Sequence, residues 1–289
     1  MPIASRITST GTLLVNGSFD ENTSIAPAQF RTTSTTVYAG LLDENTLTGV
    51  AQRQLNDGTL QVSNTFDEVS LASGSVQFAS TNLQCLSAAP GTDATAFNFG
   101  TGDFTAECFF YPTSTALSYG TLITTSYPAD TQGFFFGTFG TQLAFLLGNG
   151  TWFYTSAQFG SFSTNAWHHA ALTRSGTTYN LYLNGSRLFT TTQATAMTYT
   201  QNKISVGGRA NTQGQIGYMS QVRVIKGTAL YTGATYTVPN QGILPAVSGT
   251  VLLLNALTST SFAQDNSGLQ NVITNNVSCV WNTANPFNT

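Results

Sequence analysis

No stretch of this 289-residue chain keeps a helical period, and from Ser73 onward the sequence is a succession of short apolar runs broken by Gly, Asn, Ser and Pro. Turn signals at such close intervals confine the chain to short strands, and many short strands make a sandwich or a jelly roll. The clearest runs are Phe104–Tyr111, Leu143–Leu147, Ala170–Thr173, Tyr179–Leu183, Ile204–Val206, Met219–Ile225 and Val251–Leu254. Tyr179-Asn180-Leu181-Tyr182-Leu183-Asn184-Gly185-Ser186 carries the strongest local signal, because Asn-Gly supplies the positive φ angles that a two-residue hairpin turn demands. Gly133-Phe134-Phe135-Phe136-Gly137 reads as a buried strand.

The front of the chain has a different grain. Residues 11–21 (GTLLVNGSFDE), 35–44 (TTVYAGLLDE) and 58–68 (DGTLQVSNTFDE) form a repeat whose closing acids are Asp20, Asp43 and Asp67. Each copy alternates apolar and polar residues, as half-buried strands do, and each is too short to bury its own face. Residues 1–72 hold seven of the twelve acidic and three of the nine basic side chains, a balance of −4 against +1 for the rest. This contrast places a boundary near residue 72, between a small β-repeat module (1–72) and a main β domain (73–289). The module reads either as a meander packed on the main domain or as an arm that stacks against other subunits.

Charged residues are only 7% of the chain, against roughly 25% in ordinary soluble domains. With 41% hydrophobic and 12% aromatic residues the chain is nevertheless no disordered polymer. So little charge gives no basic surface for nucleic acid, and little of the repulsion that keeps monomers apart. A homo-oligomer within an assembly is therefore expected. No run has signal-peptide character or approaches the ~20 apolar residues of a membrane helix, so a soluble chain made in a cytoplasm, without membrane attachment, is expected. Cys85, Cys108 and Cys279 are too widely spaced for a disulfide framework or a metal knuckle and read as buried, reduced thiols. The Asn-x-Ser/Thr triplets at Asn16, Asn22, Asn149, Asn184 and Asn276 read as accidents of composition.

Several segments carry a family resemblance. FTAECFFYP (104–112) resembles the F-T-x-E-x-W-x-x-P strand of laminin-G-like and concanavalin-A-like domains. AWHHAALTRSGTTYNLYLNGSRL (166–188) is similar to their W-H-H-V-A-x-x-R…Y-V-N-G hairpin pair, and KISVGGR (203–209) to their I-x-I-G strand. GYMSQVRVIKGTALYTGATYTVP (217–239) resembles a third signature, and VLLLNAL (251–257) with the Asp265-Asn266-Ser267-Gly268 turn fits the closing strand. The resemblance spans about residues 72–287. It implies an all-β, concanavalin-A-like jelly-roll sandwich, here preceded by the small N-terminal β-repeat module. The R-V-x-K-G-x-A-L-Y form of the third signature (Arg223–Tyr231) and the front repeat resemble bacteriophage virion structural proteins. Two departures stand out: Ser220-Gln221 where paired acids are usual, and Phe110 where a Trp is usual.

Chemistry-bearing residues are few. Glycoside hydrolysis needs two flanking carboxyl groups. After residue 72 the acids are Asp93, Asp103, Glu107, Asp130 and Asp265, of which Asp103 and Glu107 share a face if both lie on one strand. No catalytic set is expected from them. Trp167-His168-His169 invites a proton-relay reading, but neighbouring strand residues diverge, and in the family the run is a fold signature. Calcium, bound by many laminin-G-like domains, needs six to eight oxygens. The Asp265 turn offers one carboxylate and no acidic neighbour, so no metal or other cofactor is expected. A glycan surface remains. Asn149, Trp152 and Tyr154, beside a turn, have the chemistry for ring stacking and amide contacts; a hairpin packing its aromatics inward is the competing reading. Arg209, Arg223 and Lys226 are too few for a nucleic-acid surface and are expected to pair or face solvent.

The combined expectation is a non-enzymatic component of a bacteriophage particle surface, assembled in the host cytoplasm and bound to other virion proteins of capsid or tail. Capsid decoration or a head fibre is favoured over a tail fibre. The alternative is an adhesin for host-surface glycan.

Overall fold

The computed structural model describes residues 74–79, 85–115, 119–126, 131–199, 201–209, 213–240 and 243–287, together with the backbone of six strands ahead of them. The chain divides into two compact units, Met1–Ser70 and Leu71–Thr289.

In the first unit, β1 (Ala4–Ser5), β2 (Leu14–Asn16), β3 (Ala28–Thr32), β4 (Thr35–Ala39), β5 (Ala51–Gln54) and β6 (Leu60–Ser63) pair antiparallel in chain order. The three repeated segments supply β2, β4 and β6, so each copy contributes every second strand of a meander. The closing acids Asp20, Asp43 and Asp67 lie outside the described residues.

The second unit is a sandwich of two antiparallel sheets. Its strands are β7 (Ser75–Phe78), β8 (Cys85–Ala89), β9 (Phe104–Pro112), β10 (Gly120–Thr124), β11 (Gln132–Phe139), β12 (Gln142–Asn149), β13 (Trp152–Thr155) and β14 (His168–Ser175). There follow β15 (Thr178–Leu183), β16 (Ser186–Thr192), β17 (Ile204–Val206), β18 (Gly217–Lys226), β19 (Thr250–Leu254), β20 (Val272–Asn276) and β21 (Val280–Asn282). One sheet has the order β13-β12-β11-β10-β17-β8-β20; the other runs β16-β15-β14-β9-β18-β7-β21, with β19 beside β18. All seven runs singled out in the sequence are strands. The Asn184-Gly185 turn joins β15 to β16 with φ of 49° and 81°, as its sequence requires. Among the described residues no helix is long and apolar enough to cross a membrane.

Alternation along each strand builds the core. Phe104, Ala106, Cys108 and Phe110 of β9 point inward, as do Phe134 and Phe136 of β11 and Leu143, Phe145 and Leu147 of β12. Rings from opposite sheets stack across the middle: Phe104 on Phe134 (5.2 Å, 13°) and Phe145 on Tyr179 (5.9 Å, 16°). Phe110, in the place of the usual Trp, is fully buried edge-on to Phe162.

β18 carries a bulge between Ser220 and Arg223, with Gln221 at φ 51°. A left-handed non-Gly residue costs about 1–2 kcal/mol. Its buried carboxamide offsets this by donating to Asn255 O (3.0 Å) and accepting from Leu244 N and Asn255 Nδ2 (both 2.8 Å). The same edge of β18 pairs with β7 through Gly217–Met219 and with β19 through Val222–Ile225. Ser220 donates to Gly74 O at 2.7 Å. The Ser220-Gln221 departure is thus a device that closes the sheet.

Candidate functional site

The outer face of the seven-stranded sheet carries a concavity of about 270 Å³, lined by Tyr119, Phe135, Leu146, Trp152, Thr155, Arg209 and Gln213. Its floor follows from strand register. Phe135 of β11 faces Leu146 of β12, which faces Thr155 of β13. Each sits between inward-pointing neighbours and so projects to the outer face. Two glycines make room. A Cβ on Gly137 would lie 2.6 Å from the Phe135 ring, and one on Gly148 would lie 3.1 Å from the Trp152 indole and collide with the Thr131 carbonyl.

A bulge decides which aromatics reach this surface. Leu147 pairs with Tyr154, but Gly148 pairs with Trp152, so Phe153 is the extra residue. In a regular strand Trp152 and Tyr154 would share a face, as their spacing in the sequence suggests. The bulge separates them. Trp152 lines the concavity, whereas Tyr154 packs on Phe145 at 5.4 Å, against the core. Asn149 is exposed in the turn and lies outside the lining. Of the three glycan candidates, one is in the concavity.

The wall is built from afar. Arg209, in the loop after β17, donates through Nε to Ser126 O (2.8 Å) and Ser126 Oγ (3.1 Å), and through Nη1 to Gln213 Oε1 (2.8 Å). Its guanidinium lies 5.1 Å from the Trp152 ring centroid. Such a cation–π contact contributes about 0.5–2 kcal/mol. Thr121 Oγ1 fixes the Gln213 carbonyl at 2.5 Å. Tyr119 is the open aromatic of the set, 40% exposed and edge-on to Phe139 at 4.3 Å. One face of the indole is therefore given to Arg209, and the ring most accessible to a ligand is Tyr119. Sequence reasoning missed Tyr119, Gln213 and the role of Arg209. The Gly133–Gly137 run pointed to β11 but not to the outward Phe135.

The other conspicuous cluster lies on the outer face of the eight-stranded sheet. Glu107 exposes none of its surface. Arg223 donates to its Oε1 through Nε (2.7 Å) and Nη2 (2.6 Å), and Tyr231 OH donates to Oε2 (2.7 Å). His169 Nε2 lies 3.3 Å from Oε2, with its Nδ1 2.6 Å from Tyr236 OH. Burial pushes the Glu107 carboxyl up, but the contact and charge of His169, the charge of Arg223 and the Tyr231 hydroxyl outweigh it, so it sits below the ordinary glutamate value. Tyr231 and Tyr236 belong to the segment 227–240 that follows β18 and covers this face, and they stack at 3.7 Å. The cluster fastens that segment down. With no exposed carboxylate it cannot flank a glycosidic bond.

The remaining candidates are similarly occupied. Asp103 does not share a strand face with Glu107: it precedes β9 and accepts from Gly176 N at 2.6 Å. Asp93 caps Thr95 (2.8 Å). Asp265 accepts from Leu253 N, Ser267 N and Oγ, and Asn271 N and Nδ2, so both oxygens brace the loop and the turn has no carboxylate to give to calcium. Asp130 lies outside the described residues. His168 and His169 diverge, His168 beside Phe110 and Phe162, and His169 beside Phe109 and Tyr236. Asn184 Nδ2 donates to His168 Nδ1 (3.1 Å), so Nε2–H donates to Ser163 O (3.0 Å). Burial lowers the pKa of this ring against the opposing Ser163 bond. Arg223 is paired, and Lys226 donates to Thr95 O (2.7 Å). Among the described residues no group of three or more His, Cys, Asp or Glu could hold a metal ion.

Comparison with known proteins adds one family match. The model described as the concanavalin A-like lectin/glucanases superfamily (Laminin_G_3) matches residues 86–230. No curated protein matches the chain. Similar solved structures include a heptameric SAP-like pentraxin from Limulus polyphemus (11% identity, 76% of this chain and 99% of that one, TM-score 0.47). Others are domains LG4-5 of the mouse laminin alpha1 chain (12%, 82% and 84%, TM-score 0.44) and the CBM40 of the Ruminococcus gnavus IT-sialidase bound to alpha2,3 sialyllactose (17%, 55% and 92%, TM-score 0.39).

Proposed function

The chain belongs to the concanavalin A-like lectin/glucanases superfamily, and on that footing we propose that it binds glycan without hydrolysing it, through the concavity on its seven-stranded sheet. The observation that carries this reading is the lining itself. An apolar floor of Phe135 and Leu146, an open Tyr119 ring, and the polar ends of Thr155, Arg209 and Gln213 converge on one depression. Sugar rings offer just this pair of surfaces, an apolar C–H face and a hydroxyl rim. Hydrolysis is not part of the proposal, because none of the described lining residues is acidic and Glu107 is spent on Arg223 and Tyr231.

The test is a glycan array with the wild-type chain and the Tyr119→Ala and Trp152→Ala variants. Loss of at least about tenfold in affinity in both variants, a difference of about 1.4 kcal/mol, is the expected result. Binding unchanged by either substitution sinks the concavity as the site. Reducing-sugar release from the bound glycan would overturn the non-enzymatic reading.

A second reading concerns where the glycan site is carried. The Arg223–Tyr231 segment and the front repeat resemble virion proteins, and the sparse charge suits an assembly. On this reading the protein sits on the surface of a bacteriophage particle, assembled in the host cytoplasm as a homo-oligomer. Residues 1–72 anchor it to other virion proteins, and residues 73–289 present the site. Capsid decoration or a head fibre is preferred to a tail appendage, and neither nucleic acid nor membrane is a partner. Supporting it, the six-stranded meander ends in β1 and β6, each paired on one side only among the described residues, as strand addition between subunits requires. Quantitative mass spectrometry of purified particles tests this. Stoichiometry comparable to the capsid subunit fits decoration, a handful of copies fits a tail or vertex, and absence removes the virion reading.

A further inference from the structure

The outer face of the eight-stranded sheet has an open margin, where strand register lines up a row of outward side chains. Tyr111 of β9 lies opposite Tyr218 of β18, Tyr218 opposite Gln77 of β7, and Gln77 opposite Val280 of β21. Trp167 extends the line on the other side, because the residue after it, His168, pairs with Phe110. The indole meets the Tyr111 ring edge-on at 5.4 Å, and Tyr111 meets Tyr218 at 5.7 Å. Four strand spacings make the row about 19 Å long. Behind it the face is closed: Phe287 packs on Phe109 at 5.2 Å, and segment 227–240 lies over Glu107 and His169. The row is half-buried from Trp167 to Gln77, and Val280 is 49% exposed.

Its polar ends are unspent. The tyrosines further along this face are each engaged: Tyr231 donates to Glu107 Oε2 (2.7 Å), Tyr182 donates to Gly233 O (2.9 Å), and Tyr236 OH lies 2.6 Å from His169 Nδ1. The Trp167 indole N–H, the Tyr111 and Tyr218 hydroxyls and the Gln77 carboxamide make no hydrogen bond to any described residue. The row is also neutral. Residues 69–92, 108–129, 155–173, 210–222 and 266–289, which carry it and its adjoining loops, contain no Asp, Glu, Lys or Arg. An anion or cation finds no counter-charge in these segments. One line of side chains is also narrow for a protein partner, since a stable interface takes ~20–30 residues a side.

We infer that this row is a second glycan surface, taking an extended, uncharged polysaccharide chain laid across the strands. The apolar C–H faces of successive sugar rings rest on Trp167, Tyr111 and Tyr218, and the sugar hydroxyls meet the indole N–H, the phenol groups and the Gln77 carboxamide. A hexose chain joined through equatorial bonds is such a ribbon, whereas an α-linked glucan coils and meets only part of a long row. The surface is independent of the concavity, which is built on the other sheet.

The experiment is calorimetric titration of the full chain with cellohexaose, β-linked mannohexaose, maltohexaose and the two β-linked disaccharides. At least one β-linked hexasaccharide should bind at least about tenfold more tightly than its disaccharide and than maltohexaose, since only a long, extended chain covers the row. Raising NaCl to about 0.5 M should leave that affinity unchanged, because there is no charge pair to screen. Trp167→Ala and Tyr218→Ala should each weaken binding at least about tenfold. Tyr218→Phe, which keeps the ring and removes the hydroxyl, should lose part of the affinity. Thermal unfolding confirms that the variants are folded; if the alanine variants are not, Tyr218→Phe and Gln77→Ala decide. Failure of both β-linked hexasaccharides to bind overturns the inference while the concavity reading stands. So does binding abolished by Tyr119→Ala and untouched by Trp167→Ala and Tyr218→Ala, which puts the chain in the concavity. Equal affinity for maltohexaose overturns the preference for an extended chain. Self-association in sedimentation that Tyr218→Ala abolishes, with no hexasaccharide bound, overturns the inference by giving the row to a second copy of the chain.

Discussion

Glu107 shows how far the role of a single residue can lie from its local sequence. It is the only glutamate after residue 72, and no catalytic set is expected around it. Its hydrogen-bond partners Arg223 and Tyr231 come from 116 and 124 positions away along the chain, a distance no local pattern reveals. Removing one member of a buried ion pair costs about 3–5 kcal/mol, so Glu107→Gln should lower the melting temperature markedly near neutral pH. The acid limb tells more. The folded carboxyl sits below its ordinary value of 4.5, so its stabilisation is full above that value and is lost as pH falls through the lower folded one. Wild-type and Glu107→Gln stability should therefore converge progressively as pH falls below 4.5 toward the lower folded value. Parallel curves would mean that Glu107 is not held ionised. His168 adds to the acid sensitivity at higher pH: its lowered pKa means that the unfolded chain gains the proton first as pH drops below about 6.5. The thiols give a simpler check. Cys85, Cys108 and Cys279 are reduced and buried, and burial with the nearby Cys85 pushes the Cys279 thiol up to about 12. Native protein should stay unreactive toward a thiol reagent until denaturant is added; reaction of any of the three in the native state would contradict the packing.

At the scale of elements, strands were readable because alternation and turn residues are local signals, and the Asn184-Gly185 hairpin is where that reading is strongest. The β12–β13 hairpin is where it breaks down. A bulge adds one residue without any marker that separates Phe153 from its neighbours, and it puts Trp152 and Tyr154, two positions apart, on opposite faces. The loop residues Arg209 and Gln213 join the site through β17 pairing with β10, a contact set by topology. Gly148 offers the sharpest test of the hairpin. Its Cβ position is taken by the Thr131 carbonyl and closely approached by the indole. Gly148→Ala should destabilise by about 1–3 kcal/mol, as overpacking does, and lose glycan affinity through the displaced Trp152. A variant with native stability and full binding would mean that the indole does not rest on this glycine.

For the whole molecule, the sandwich was legible because family signatures lie on the strands that form its centre: β9, β14, β15 and β18 are adjacent or nearly so in one sheet. The site lies on the opposite sheet, mostly outside those signatures, and that is why the fold could be read more fully than the function. The signature Glu, His and Arg residues serve to hold segment 227–240 on the eight-stranded sheet, and the glycan-binding concavity proposed above is on the other outer face. The most direct test is a crystal structure of the chain soaked with a glycan selected on the array. The account predicts one sugar ring over Phe135 and Leu146, in contact with Tyr119 and beside Arg209. A ring bound at the turn around Asn149, or elsewhere on the molecule with the concavity left empty, would contradict it.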